Sequence, residues 1–153
     1  LEITLTPTQA RFSFGGIELV SKLIDGKFPD YERVIPQHHS KLIKLSRNTL
    51  LHSLLRAAIL TNEKFRGVRL VLGAGSLKII SSNAEQEEAQ EEIEVDYGGE
   101  VLDVGFNVTY LLDVLNNVGN ETIELHLADA NSSALFVLPG NETFKYVVMP
   151  MRI

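Results

Sequence analysis

The same order of secondary-structure patterns occurs twice in tandem, about 60 residues apart, and this repeat is the strongest constraint on the fold. In each copy a short β-prone run is followed by a helical pattern and then by three further β-prone runs. The first copy starts at residues 41–45 and the second at residues 101–106. We therefore predict an α+β fold, a pseudo-two-fold domain of two tandem βαβββ units with both helices on one face of antiparallel sheets.

Each helical pattern has one apolar face and a start signal. The spacing predicts helices over about 48–60 and 108–118, with apolar residues at Leu50, Leu51, Leu54, Leu55 and Ala58 in the first and at Leu111, Leu112, Leu115 and Val118 in the second. Ser46 or Asn48 can cap the first helix and Asn107 the second, because their side-chain oxygens accept from free N–H groups. The later strands are predicted at 67–73, 75–81 and 91–97, and at 121–128, 132–138 and 143–149.

The region before the repeat divides the chain. Residues 1–24 alternate around Gly15-Gly16, which predicts a β-hairpin. Residues 25–36 are rich in turn formers and contain two prolines, so the boundary is expected near residue 31. We therefore expect two parts, 1–31 and 32–153. Because the chain opens on Leu1 within a strand-like pattern, we also expect it to be a piece of a longer protein.

Composition and charge narrow the classes of function. With 44% hydrophobic and 22% charged residues the chain is globular, and its lack of cysteine excludes disulfides and thiolate sites. We expect a cytoplasmic protein, because cysteine is absent and no apolar run approaches the ~18 residues needed to cross a bilayer. Residues 1–78 carry 12 basic and 6 acidic side chains, whereas residues 79–153 carry 2 and 14. That asymmetry disfavours nucleic-acid binding by the whole surface but leaves room for a basic face in the first half.

Two polar clusters have a chemical interpretation and a plainer one. Residues 85–96 hold seven carboxylates, which could serve acid–base catalysis or bind a hard cation. Ile93 and Val95 alternate with these acids, however, as on a half-buried strand with a solvated or partner-facing edge. His38 and His39 lack a third metal ligand nearby in the sequence. With no phosphate-binding loop or nucleophile elbow, a binding module without cofactor or metal is favoured over an enzyme.

The last residues are unusual because they are apolar to the end. Chain ends are normally polar and frayed unless something holds them. Here a β-prone run leads to Met149, Pro150 and Met151, residues that suit a groove for varied apolar peptides. Pro29, Val34 and Phe65 are further apolar candidates for that groove. The alternative is that all of these residues belong to the core.

Four segments together resemble the bacterial sliding clamp family, the β subunit of DNA polymerase III. They are DGKFPDYERVIP at 25–36, AAILTNEKFRGVR at 57–69, GFNVTYLLDVL at 105–115 and YVVMPMR at 146–152. The resemblance covers the whole chain and implies that 1–31 is the end of the clamp's middle domain and 32–153 its complete third domain. It implies a non-catalytic processivity factor for DNA replication, which in full length forms a ring around duplex DNA.

The resemblance also implies a pocket that binds short linear motifs of polymerases, the clamp loader and repair proteins. Its positions in this sequence are Pro29, Arg33, Val34, Phe65, Asn107, Tyr110, Ser133, Val147, Val148, Met149, Pro150, Met151 and Arg152. Such motifs typically have Gln followed by aliphatic residues and Leu-Phe.

The same resemblance implies two further surfaces. The subunit interface of a homodimer would use Ile59, Leu60, Glu87, Glu88 and Glu91, and loose sequence-independent phosphate contacts would come from Lys44, Arg47 and Arg56. The chain by itself is expected to be a monomer. Two other hypotheses stay open: a carboxylate-rich enzyme or cation-binding domain using residues 85–96, and a secreted adhesion module glycosylated at Asn-x-Ser/Thr sites.

Overall fold

The computed structural model describes residues 1–28 and 30–153, in two compact units, Leu1–Tyr31 and Glu32–Ile153. The first unit is a three-stranded antiparallel sheet in the order β1-β2-β3, formed by β1 (Glu2–Leu5), β2 (Gln9–Phe14) and β3 (Ile17–Lys22). Gly15 and Gly16 both have positive φ, as the tight turn between two hairpin strands requires. The predicted hairpin is therefore confirmed.

The second unit contains the predicted repeat. A short 3-10 helix, Tyr31–Arg33, precedes it. The first copy comprises β4 (Lys41–Ser46), α1 (Arg47–Ala58), β5 (Gly67–Gly73), β6 (Ser76–Ser82) and β7 (Glu88–Glu94). The second copy comprises β8 (Leu102–Asn107), α2 (Val108–Asn117), β9 (Thr122–Leu127), β10 (Ala134–Leu138) and β11 (Asn141–Val148). The α+β class and the tandem βαβββ order are confirmed.

The two copies exchange their first strands. One antiparallel sheet has the order β11-β10-β9-β4 and the other the order β7-β6-β5-β8. β4 of the first copy pairs with β9 of the second, from Lys41 opposite Leu127 to Ser46 opposite Thr122. β8 of the second copy pairs with β5 of the first. Each sheet therefore needs residues from both copies.

One hydrophobic core lies beneath both helices. Phe106 and Phe136 are its largest fully buried side chains, and α1 and α2 pack against each other as well as against the strands. Helix α1 buries Leu50, Ser53, Leu54, Ala57 and Ala58. The predicted apolar face was wrong at Leu55, which is 46% exposed, because the buried stripe runs through positions 50, 54 and 58 and leaves 55 at its margin.

The helix starts follow from their caps. The Ser46 hydroxyl accepts from the Thr49 N–H at 3.4 Å, and the Asn107 side chain accepts from the Thr109 N–H at 2.9 Å. Strand β7 begins three residues earlier than predicted because its ladder with β6 runs from Glu88 to Glu94. No helix in the described residues is long and apolar enough to cross a membrane.

Candidate functional site

The C-terminal segment, residues 149–153, crosses from the end of β11 to the edge of β8. Its Met151 N–H donates to the Gly105 carbonyl at 2.9 Å, which forms an isolated antiparallel bridge. Glycine is required there, since a Cβ on Gly105 would lie 2.5 Å from the Met151 carbonyl oxygen and 2.7 Å from Ile153 Cγ1. A Cβ on Gly67 of β5 would lie 3.0 Å from Ile153 Cδ1. The two glycines therefore form a seat for the segment.

The segment presents apolar side chains at the surface. Met149 is 59% exposed, and the Ser133 hydroxyl lies 2.9 Å from its Sδ. Pro150 and Met151 are half-buried, and Arg152 is exposed. The sequence had also suggested Val147 and Val148 as pocket residues.

Those two valines belong to β11. Val147 is half-buried opposite Leu135. Val148 is only 2% exposed and lies in the hydrophobic core, and its place in the pocket stays a prediction. Because side chains alternate along a strand, Val148 faces inward and supports the surface from beneath.

Phe65 shares a cavity with the C-terminal segment and lies next to the start of α2. Phe65 is 55% exposed in the turn between α1 and β5. Asn107 caps α2 and also donates from Nδ2 to the Phe65 carbonyl at 3.4 Å. On the same helix Tyr110 is 54% exposed. Burial raises the pKa of the Tyr146 hydroxyl, and Asp113 and Tyr110 on α2 act in the same direction.

A cavity of about 320 Å³ separates Phe65 from the C-terminal segment. It is lined by Asn62, Phe65, Gly67, Ser82, Asn83, Met151, Arg152 and Ile153. A second cavity of about 690 Å³ lies along the same segment and is lined in part by Arg69, Asp103, Asn131 and Arg152. Both are open and carry amide, hydroxyl and guanidinium groups beside apolar surface, which suits a peptide.

The structure brings only part of the predicted pocket together. Phe65, Met151 and Arg152 share one cavity, Asn107 reaches Phe65, and Ser133 reaches Met149. Arg33 ends the 3-10 helix and Val34, 37% exposed, follows it, but neither lines that cavity. Pro29 lies outside the described residues.

Sequence reasoning missed Asn62, Gly67, Ser82, Asn83, Gly105 and Ile153. For Gly105, inside the predicted strand 101–106, and Gly67, at the start of the strand 67–73, a glycine in a strand was the available signal, because it often marks the close approach of another backbone. No sequence pattern marks the other four residues, which are Asn62, Ser82, Asn83 and Ile153.

The three candidate phosphate-binding cations are all engaged within the chain. Lys44 lies on β4, not on a helix, and its Nζ is 3.1 Å from Glu124 Oε1. That hydrogen bond lowers the pKa of Glu124. Arg47 donates from Nη1 to the Leu115 carbonyl at 2.7 Å, which ties α1 to α2. Arg56 forms two hydrogen bonds to Glu91.

The candidate subunit-interface residues lie around the C-terminal end of α1 and the edge strand β7. Ile59 is 77% exposed and Leu60 is half-buried. Glu87 and Glu88 are exposed, whereas Glu91 is half-buried beside Arg56. The hydrogen bond from Arg56 lowers the pKa of Glu91. An exposed apolar residue beside an acidic sheet edge can dock a basic strand edge.

The positions of the side chains do not support the cation-binding hypothesis. Within residues 1–28 and 30–153, no three His, Cys, Asp or Glu side chains converge to hold a metal ion. Ile93 and Val95 are buried and the neighbouring Glu94 and Asp96 exposed, as the plainer interpretation of this strand predicted. His39 packs edge-on against His126, with ring centroids 5.3 Å apart.

Residues 32–152 match the family model described as DNA polymerase III beta subunit, C-terminal domain. The chain is 53% identical over 153 residues to the beta sliding clamp of Pseudomonas putida, covering 100% of this chain and 42% of that relative. The crystal structure of the DNA polymerase III subunit beta from Pseudomonas aeruginosa has a TM-score of 0.87 at 51% identity, over 99% of this chain and 42% of that one. The crystal structure of the P. aeruginosa sliding clamp bound to griselimycin has a TM-score of 0.84 at 51% identity, over 99% of this chain and 41% of that one. The chain thus spans about 42% of the length of the curated relatives it matches.

Proposed function

The chain belongs to the DNA polymerase III β subunit family, and from that premise we propose that it is the peptide-holding part of a bacterial sliding clamp. Residues 32–153 act as the third domain of the clamp and residues 1–31 as the end of the middle domain. The complete clamp is a non-catalytic processivity factor that encircles duplex DNA in the cytoplasm. It tethers replicative and translesion polymerases, the clamp loader and repair proteins.

One observation carries the proposal: an apolar C-terminal segment is fixed on a glycine seat opposite an exposed phenylalanine. Met149 and Phe65 are 59% and 55% exposed to a ligand, while hydrogen bonds hold the backbone at Met151, two residues after Met149, and at the Phe65 carbonyl. Burying a leucine or phenylalanine anchor on such a surface is worth about 1.5–3 kcal/mol. Two or three anchors then give a Kd on the order of micromolar.

Fluorescence anisotropy with a labelled peptide tests this assignment. The peptide carries Gln followed by aliphatic residues and Leu-Phe, and the 153-residue chain is compared with a version lacking residues 149–153. We expect the truncated version to bind several-fold more weakly. Equal affinity would contradict the assignment of the C-terminal segment. The full-length P. aeruginosa clamp is the positive control, and griselimycin is tested as a competitor.

A pair of single substitutions localises the effect. Met149→Ala removes an exposed side chain of the segment and should weaken peptide binding. Val101→Ala is the matched control, because Val101 is 71% exposed but lies before β8, outside the C-terminal segment. Equal loss in both variants would indicate nonspecific apolar adhesion instead of a defined groove.

We also propose that the helical surface faces DNA without tight phosphate contacts. Lys44, Arg47 and Arg56 already have intramolecular partners, so few counterions would be released on binding. The affinity for a DNA duplex is therefore expected to be weak, with a shallow dependence on salt. A slope of logarithmic affinity against logarithmic salt steeper than about −3 would contradict this, since each neutralised phosphate contributes about −0.9.

In the same proposal, Ile59, Leu60, Glu87, Glu88 and Glu91 form the third-domain half of the homodimer interface. The exposed Ile59 and the acidic edge of β7 support that role. Residues 1–153 by themselves are expected to be monomeric. Analytical ultracentrifugation of the chain tests this, and a stable dimer at micromolar concentration would contradict it.

A further inference from the structure

The Phe65 turn is shaped by a single side chain, that of Asn62. Its Oδ1 accepts from the Lys64 N–H at 3.0 Å and from the Phe65 N–H at 3.3 Å. Its backbone carbonyl accepts from the Arg66 N–H at 2.8 Å. Asn62 thus satisfies three successive donors of the turn, a role for which asparagine is well suited.

The turn is fastened at its other end to α2. Arg66 has a φ of +52°, in the left-handed region that non-glycine residues seldom adopt. This conformation directs its carbonyl to the Val108 N–H at 2.8 Å, while the Phe65 carbonyl accepts from Asn107. The backbone of Phe65 is therefore held on both sides of the residue, although its ring is 55% exposed.

An exposed aromatic ring on a fixed backbone loses little conformational entropy when a ligand packs against it. Phe65 lines the 320 Å³ cavity together with Met151 and Arg152, and Asn62 lines it too. Without the Asn62 acceptor, the Lys64 and Phe65 N–H groups would turn to water and the ring would sample other positions.

We propose that Asn62 is a positioning residue for peptide binding, acting through Phe65. This inference rests on the proposed peptide-binding function and adds to it a residue that is not among the pocket positions implied by the resemblance. Asn62 orients the ring by fixing the turn and contributes to affinity by preorganisation.

The chain provides a matched control in Asn141, at the turn between β10 and β11. Its Oδ1 accepts from the Thr143 N–H at 3.1 Å and from the Phe144 N–H at 3.2 Å, the same two positions relative to the asparagine. Asn141 lines none of the cavities beside the C-terminal segment. Replacing it by alanine therefore removes an equivalent turn without affecting the candidate site.

The test compares Asn62→Ala, Asn62→Ser, Asn62→Asp and Asn141→Ala in the 153-residue chain. Peptide affinity is measured by anisotropy with the labelled Gln-aliphatic-Leu-Phe peptide, and order in the turn by hydrogen exchange of the Phe65 amide. We expect Asn62→Ala to bind about threefold to tenfold more weakly and its Phe65 amide to exchange faster. Asn62→Asp retains an acceptor and should restore binding, with Asn62→Ser, which keeps a shorter acceptor, between them.

Asn141→Ala should leave peptide affinity unchanged. Wild-type affinity in Asn62→Ala despite faster exchange of Phe65 would overturn the inference while leaving the proposed function intact. Equal loss in Asn141→Ala would also overturn it, because the effect would then follow from general stability. If Asn62→Ala does not fold, Asn62→Ser is compared with Asn62→Asp instead. Equal peptide affinity of these two variants would overturn the inference. A folded wild-type chain that binds no peptide would refute the proposed function, and the inference with it.

Discussion

Replacing Gly105 by alanine is predicted to detach the C-terminal segment from β8. The added Cβ would lie 2.5 Å from the Met151 carbonyl oxygen and 2.7 Å from Ile153 Cγ1. The Ile153 side chain can rotate away, but a backbone oxygen moves only with its segment. Because ordinary contact begins at 3.4 Å, Met151 must shift by about 0.9 Å. That shift disrupts the 2.9 Å hydrogen bond between the Met151 N–H and the Gly105 carbonyl.

The expected cost is about 1–3 kcal/mol, typical of overpacking at a closely packed position. The lost hydrogen bond accounts for about 0.5–1.5 kcal/mol of it. Since the segment can open while the sheets stay folded, the cost falls on the free energy of local opening. The Met151 amide should therefore exchange with deuterium roughly 5- to 150-fold faster, whereas the global unfolding midpoint changes little.

Amide exchange followed by NMR measures this effect, with two glycine variants as references. Gly67→Ala meets only the end of the Ile153 side chain, at 3.0 Å, so its effect should be smaller. Gly73→Ala meets nothing within 4 Å and should leave Met151 unchanged. An unaltered exchange rate of Met151 in Gly105→Ala would refute the steric reasoning.

Three further predictions concern stability, each measured by urea unfolding. Leu54→Ala should lower the free energy of unfolding by about 2–5 kcal/mol, because Leu54 is 0% exposed. Leu55→Ala should lower it much less, because Leu55 is 46% exposed. Equal losses would contradict the assigned buried face of α1. Ser81→Ala should cost about 0.5–1.5 kcal/mol by removing the buried 2.7 Å hydrogen bond to the Ala57 carbonyl, and a neutral result would mean that this bond contributes nothing. Burial, and then the neighbouring His126 and His38, hold the pKa of His39 below its usual 6.5. Because the unfolded chain therefore binds the proton more readily than the folded chain, the free energy of unfolding should fall as the pH drops below about 6.5. His39→Gln should reduce that fall between pH 7.5 and 5, and an identical pH dependence would show that His39 is not its source.

Local chemistry made much of the second unit predictable. The starts of both helices follow from Ser46 and Asn107, whose side chains accept from N–H groups two or three residues ahead. The apolar spacing in α2 correctly marks Leu111 and Leu115 as core residues. Such features depend on neighbours along the chain, and a sequence displays them directly.

Features set by distant residues were not predictable. Nothing near Lys44 or Arg56 in the sequence indicates that Glu124 and Glu91 are their partners, since the pairing depends on which strands and helices meet. The core position of Val148 likewise depends on which face of β11 turns toward the core. For the same reason, the seat made by Gly67 and Gly105 becomes visible only once β5 and β8 are side by side.

The exchange of β4 and β8 between the two copies makes them mutually dependent for folding. A polypeptide that ended after β7 would have β4 without its partner β9, and a β5 edge without β8. Neither half has a closed set of hydrogen bonds, so a single cooperative transition should govern residues 41–148 although the order of their elements repeats. A single βαβββ copy could meet the same requirement only by pairing with a second copy, each supplying its first strand to the other. Joining two copies in one chain turns that association into an intramolecular one, in which both strands are always present in equal number.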